Sequence, residues 1–392
     1  MRGILKIKNK NIFLVGFIIG IVILAYSVRE YTLKNLIADF DEPFYTNLSL
    51  DYANLIREKD IKGIASYYKN YEHPSLVKIL YGFVLTSQEP IEKLYKKDLD
   101  MLKPISVDGR AFMFSVRRTS AIFGTLTVFF TSLFNPIAGL FLGINTTAVH
   151  YTSIYYFESM ATFFASMSVF SYLKWKKERI FSDNNKRIVV KEDIWLLFSS
   201  AALGLTAASK YIYAIVGVII IVDYFIDLLK CRRLLIPKLF HLSIWGIGSI
   251  MIFFVFNPMI WINPIDKVIE SIMFHFDYSK SDDVTKYDYP FWQPFVWLLG
   301  PQERYKTAIP IRLDVLILFF SALGLPSLYR KWRPMFIWLI VGLLFLLIWD
   351  TKWPQYIMLI TTPLCFSAGE AVNNFIVNPI FQRYSKRKTN TT

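Results

Sequence analysis

The stretch Phe40-Asp41-Glu42-Pro43-Phe44-Tyr45 follows an apolar run from Ile12 to Val28, and Glu72-His73-Pro74-Ser75-Leu76 comes soon after it. Two adjacent acids and a His-Pro turn on one side of a first hydrophobic segment would mean little in a soluble protein. In a membrane protein ionisable side chains are costly and are kept for chemistry or transport. The weight of the stretch therefore depends on what surrounds it.

What surrounds it is apolar. The 392-residue chain is 54% hydrophobic and 17% aromatic, with a mean hydropathy of +0.38. A soluble domain is nearer about 45–50% apolar even when Gly is counted. The class is an all-α polytopic membrane protein. The formal net charge of +14 fits basic cytoplasmic loops and anionic lipid headgroups, and nucleic acid is set aside as a partner. Of the two cysteines, Cys231 falls in a basic loop and Cys365 in an apolar run, with neither disulfide nor metal spacing.

Hydropathy predicts about ten membrane-spanning helices: 12–28, 113–133, 136–149, 154–173, 194–209, 211–226, 239–256, 313–329, 335–348 and 355–372. With the N-terminus inside, the cytoplasmic pieces are 1–11, the turn at Asn135, 174–193, 227–238, 330–333 and 378–392. They hold 22 Lys and Arg, against 2 in the short external turns near His150, Lys210 and Asp350–Lys352. That is a strong positive-inside bias. Two long loops, 29–112 and 257–312, fall outside. The first reads as amphipathic helical stretches at 47–60 and 61–71, then the His-Pro turn and a short apolar piece at 76–87, interfacial or re-entrant. The second is rich in Phe, Tyr and Trp. Residues 1–375 read as a single transmembrane domain and 376–392 as a basic cytoplasmic tail. The N-terminal run is read as a retained helix of a prokaryotic plasma-membrane protein.

The topology, drawn from Lys and Arg alone, puts Asp41, Glu42, His73, Glu158, Lys210, Arg304 and Lys352 on the external face. Asp41 suits a general base for an acceptor hydroxyl; Asp before Glu-Pro also suits a helix N-cap. His73 suits a phosphate contact or an orienting role, and also a plain helix end before Pro. Glu158 lies among apolar neighbours in Tyr155-Tyr156-Phe157-Glu158. Lys210 and Lys352 suit phosphate binding or snorkelling to headgroups. Arg304 lies in the second loop, and Arg117-Arg118 suit lipid headgroups. Trp261, Trp292 and Trp297 suit sugar stacking or an interfacial belt. No Walker, Rossmann, zinc-protease or Gly-x-Ser-x-Gly fingerprint is present.

Asp41-Glu42 with Tyr45, then Glu72-His73-Pro74-Ser75-Leu76, resemble the Asp-Glu and His-Pro-Pro motifs of the GT-C glycosyltransferases. The branch they resemble is the protein O-mannosyltransferase and aminoarabinose-transferase-like group. Arg118, the Tyr-x-Phe-Glu158 run, Ser209-Lys210-Tyr211 and Asn257-Pro258…Trp261 resemble segments of that group over roughly residues 30–375. Ser75 departs from the motif's second Pro, and loop 257–312 carries no inserted soluble sugar-binding domain.

The resemblance implies a polyprenyl- or dolichyl-phosphate sugar donor, a hexose such as mannose, and transfer with inversion on the extracytoplasmic face. It implies Asp41 as base, Lys210, Lys352 or Arg304 on the leaving phosphate, and Glu42 and His73 shaping the site. A protein, glycan or lipid acceptor follows equally. Some relatives use a divalent metal ion, for which Asp41, Glu42 and Glu158 offer hard oxygens; no metal is assigned. The rival readings are a secondary transporter or lipid flippase using Glu158 and Lys210, and a non-catalytic assembly subunit.

Overall fold

The computed structural model describes residues 2–88, 107–181, 193–230, 235–300 and 308–380. The described elements are all helical. In chain order the helices are α1 (Arg2–Asn35), α2 (Glu42–Arg57), α3 (Ile61–Ser66), α4 (Leu76–Leu85), α5 (Val107–Phe134), α6 (Pro136–Ile144), α7 (Thr146–Tyr151), α8 (Glu158–Phe181) and α9 (Ile194–Ser209). There follow α10 (Ile215–Lys230), α11 (Leu235–Val255), α12 (Pro264–Ser279), α13 (Asp282–Thr285), α14 (Gln293–Leu298), α15 (Asp314–Lys331), α16 (Arg333–Ile348) and α17 (Met358–Val372). Arg304, Cys231 and the tail residues 381–392 lie outside the described residues.

The expected segments are present, with two differences. By length and hydropathy alone, two helical stretches among the described residues suffice to cross a membrane, Ile12–Asn35 and Tyr211–Leu229; Ile194–Ser209, Leu239–Val255 and Arg333–Ile348 are apolar but shorter. The count of ten therefore does not follow from the helices themselves. The stretch expected at 136–149 is broken at Asn145. Its side chain accepts from Ala148 N at 2.9 Å, starting a new helix, and donates to Asp314 Oδ1 at 2.9 Å. Helix α4 is ten residues, about 15 Å long, and is too short to cross the ~30 Å hydrocarbon core.

Close helix contacts set the frame. Gly82 of α4 faces α2 so closely that an added Cβ would lie 2.8 Å from Tyr52 Cβ, and one on Gly324 of α15 would lie 1.9 Å from Ser367 O of α17. Only glycine lets these backbones meet. Buried Arg29 ties α1 to its neighbours through Thr152 Oγ1 (2.7 Å) and Gly143 O (3.2 Å). At the end of α8 and α10 remote from Glu158 and Lys210, Lys176 contacts Asp223 and Asp227 at 2.6 Å, and Arg333 reaches the same two acids. The three segments that the Lys and Arg count placed on one side thus meet in one network.

Candidate active site

Helix α2 begins at Glu42 with Pro43 in its first turn, and Asp41 occupies the N-cap position without capping through its side chain. The carboxylate is left for other partners. Glu42 is wholly buried and saturated: Arg117 Nε and Nη2 donate to its two oxygens at 2.7 and 2.6 Å, and Tyr155 N donates at 2.9 Å. The same guanidinium donates to Leu33 O (2.7 Å) and Leu36 O (2.9 Å) at the end of α1. A fork of donors suits this bridge. Arg117 therefore joins the end of α1 to the start of α2 and fixes the loop that holds Asp41. Both Glu42 oxygens are thus engaged in holding this loop. Arg117, expected at headgroups, is buried, whereas Arg118 stays exposed beside Glu30.

Asp41 takes the Tyr156 hydroxyl at 3.3 Å, and the same hydroxyl lies 3.2 Å from buried Asp39. One phenolic proton serves two carboxylates, so it satisfies one at a time. His150 stands 3.6 Å behind Asp39. Burial first, and the charge of Asp39 second, push the Asp41 carboxyl up to about 6, against the pull of Tyr156 and Lys210. A carboxylate of raised basicity, half-open to solvent, suits proton abstraction.

Glu158 is the first residue of α8 and is wholly buried; Lys210 follows the last residue of α9 in extended conformation. The Lys210 ammonium donates to Glu158 Oε1 and sits 5.2 Å from the centre of the Tyr356 ring. Both lie within electrostatic reach of Asp41. The pair joins helix ends, which the transporter reading would have placed near helix centres.

The His-Pro turn closes another wall. His73 packs edge-on to Phe157 (ring centres 5.1 Å) and faces Tyr45 (6.3 Å) and His275 of α12 (5.6 Å). Desolvation, helped by the Lys210 charge, holds both imidazoles below the usual histidine range, against the Glu72 carbonyl at His275, which favours their neutral forms. His275 Nε2 meets Glu72 O at 3.1 Å; a carbonyl only accepts, so Nε2 carries the hydrogen. Lys78, pushed down to about 7 by burial, donates to Asn70 O (2.8 Å) and His73 O (2.9 Å). Ser75, where the motif has Pro, donates through N and Oγ to Asn257 Oδ1, each at 2.9 Å. The serine thus locks the turn to the Asn257-Pro258 segment.

Asp41, His73, Glu158 and Lys210 therefore gather at one face, with Glu42 behind them. Lys352 does not serve there as expected. Its ammonium donates to Leu346 O (3.0 Å), Leu347 O (2.9 Å) and Trp349 O at the end of α16, and three N–H groups are thereby used. Sequence reasoning missed Asp39, Tyr156, His150 and His275. The available signals were the Asp-x-Asp spacing at 39–41 and the scarcity of histidine, with four in the chain. The three oxygens suggested for a metal do not converge, since Arg117 holds Glu42 and Lys210 holds Glu158. Among the described residues no three His, Cys, Asp or Glu side chains are grouped to hold an ion.

The chain has the fold of the GT-C glycosyltransferases. It is similar to the crystal structure of ArnT from Cupriavidus metallidurans bound to undecaprenyl phosphate, with TM-score 0.59 and 15% identity over 92% of this chain and 60% of that one. It is also similar to the archaeal oligosaccharyltransferase AglB from Archaeoglobus fulgidus. The complex with an inhibitory peptide and a dolichol-phosphate gives TM-score 0.55 at 11% identity, over 97% of this chain and 52% of that one. The apo form of the Archaeoglobus fulgidus oligosaccharyltransferase gives 0.57 at 11%, over 96% and 52%. The chain spans about half to three fifths of the length of these proteins. No family model and no curated protein matches the sequence.

Proposed function

We propose that this protein is an integral-membrane glycosyltransferase that moves a sugar from a polyprenyl- or dolichyl-phosphate donor to an acceptor hydroxyl on the extracytoplasmic face. The observation that carries the reading is Asp41. Its carboxylate engages only the Tyr156 hydroxyl among the described residues, is raised in basicity, and lies within electrostatic reach of the Lys210 ammonium. Asp41 takes the acceptor proton as the hydroxyl oxygen attacks C1 of the donor sugar. The C1–phosphate bond breaks, its electron pair leaves with the lipid phosphate, and the anomeric centre inverts. Lys210 balances the charge that develops on the phosphate, and Glu158 holds Lys210 in place. His73 and His275 enclose the site as neutral donors or acceptors. A hexose, mannose by analogy with the protein O-mannosyltransferases, is the sugar the resemblance favours.

Holding a membrane-bound donor beside an acceptor also supplies proximity, worth up to about 7–11 kcal/mol in well-oriented systems. The test uses membranes containing wild type or Asp41→Asn and a labelled polyprenyl-phosphate hexose. Asp41-dependent label in protein, glycan or lipid supports the reading. No transfer from a panel of such donors by correctly inserted protein overturns it.

A further inference from the structure

Beside this site lies a group of rings that the reaction does not use. Tyr287 and Tyr289 stack with centres 5.4 Å apart and planes 11° apart. Trp353 stands edge-on to Tyr287 at 5.2 Å, and Trp297 edge-on to Tyr289 at 5.6 Å. Between the tyrosines, Asp288 has φ 41, a left-handed conformation that a non-glycine residue adopts at some cost. Such strain recurs at ligand clamps, and here it lies between the two stacked tyrosines.

One ring of the group is tethered and another is open to solvent. Trp297 Nε1 donates to Lys352 O at 3.0 Å, and Lys352 is itself fixed by its ammonium on the α16 carbonyls. Tyr287 remains 49% exposed. The group is also continuous with the reaction site. Three residues after Trp353, Tyr356 lies against Lys210, and Tyr278 of α12 is within electrostatic reach of both Asp41 and Asp283. The segment 264–289 holds six acids against three lysines, a balance that does not favour a phosphate group on these rings. Among the described residues there is no strand whose edge could pair with an extended peptide.

We infer that the rings of Tyr287, Tyr289, Trp297 and Trp353 form an acceptor subsite that stacks a neutral sugar ring, making the acceptor a saccharide. The inference rests on the glycosyltransferase reading for the word acceptor and on the ring geometry for the ligand. The apolar faces of a pyranose cover aromatic planes, while carboxylates such as Asp283 and Asp288 at the rim accept from its hydroxyls. A ring fixed before binding loses little freedom when the ligand arrives.

The test uses the full chain in phosphatidylcholine nanodiscs, free of sugar detergents, with tryptophan fluorescence as the readout. The probes are maltotriose, mannotriose, glucose 6-phosphate and a neutral Ser/Thr hexapeptide. A neutral saccharide should bind saturably, in the millimolar range or tighter, and about tenfold more weakly to Tyr287→Ala and Tyr289→Ala. Tyr287 is exposed enough for its loss to leave the fold intact. Absence of saccharide binding, binding unaffected in both variants, or preferential binding of the peptide or the phosphate ester would overturn the subsite. Saccharide binding is read without donor and transfer is read separately with donor. Saccharide binding without transfer from any lipid-phosphate donor would therefore sink the transferase reading and leave the subsite standing.

Discussion

Arg117 and Glu42 form a buried, two-pronged ion pair at 2.6 and 2.7 Å, and the residue next to Glu42 is the proposed base. Breaking a buried pair from one side strands a charge and costs about 3–5 kcal/mol. Arg117→Ala should therefore lower the thermal midpoint markedly. Arg117→Lys should recover little, since an ammonium does not reproduce the fork. Thermal unfolding of the purified variants checks both. A midpoint unchanged in Arg117→Ala would show that the loop before α2 is held by other contacts.

Asp41→Asn should reduce transfer by about 10²–10⁴-fold, the span typical for loss of a general base. It should not lower stability. The Asp41 carboxyl lies above its unfolded value, so its ionised form opposes folding as pH rises through about 6, and a neutral amide removes that opposition. Transfer assays and thermal midpoints at pH 7 separate the two effects. Full turnover in a folded variant removes Asp41 from the base role.

The pH dependence follows from the same carboxylate. A base works when deprotonated, so kcat/KM should rise with pH through an inflection at about 6. Asp39 contributes a neighbouring negative charge that raises the Asp41 value. Asp39→Asn should therefore move the inflection to lower pH while sparing much of the rate at pH 8. A pH–rate profile of the two proteins reads the shift. An unmoved inflection would assign the titration to another group.

Much of this was legible before the fold was known, because strong physical signals marked it. Helix α9 has the expected limits, since its apolar run ends abruptly at Lys210. The short apolar piece at 76–87 reads as interfacial or re-entrant, and a ten-residue α4 fits that reading. Asp41, His73, Glu158 and Lys210 share a face because charged residues next to a bilayer are few, and the Lys and Arg count fixed which ends lie together. What stayed hidden depended on direction rather than position. Arg117 and Arg118 are adjacent in sequence, but the helix turns one toward Glu42 and the other toward Glu30. Lys352 lies at the expected end of the fold, yet the end carbonyls of α16 accept its hydrogen bonds. Tyr156 is one aromatic among many until its hydroxyl is seen between Asp39 and Asp41.

Lys352 accordingly should not behave as a phosphate ligand. Lys352→Met removes donors from three carbonyls at the end of α16 and should destabilise the protein by about 1–3 kcal/mol, the cost of leaving buried polar groups unsatisfied. KM for the lipid-phosphate donor should stay within about twofold, less than one hydrogen bond to a charged group is worth. A large rise in donor KM at unchanged stability would return Lys352 to the phosphate.

Lys210 carries the opposite expectation, and its partner complicates the test. Lys210→Ala alone strands Glu158 in a buried site at the start of α8, so loss of activity there could reflect loss of fold. The double variant Glu158→Gln/Lys210→Met removes both charges and keeps the volume. A neutral pair of similar shape is often tolerated where a lone charge is not. The double variant should unfold near the wild-type temperature, yet its kcat/KM for the donor should fall by about 10²–10³-fold, the loss typical when a group that balances developing charge is removed. Acceptor KM should change little. A double variant that is both stable and fully active would confine the pair to holding α8 against α9. The phosphate would then be met by another group, with Arg304 the first to replace.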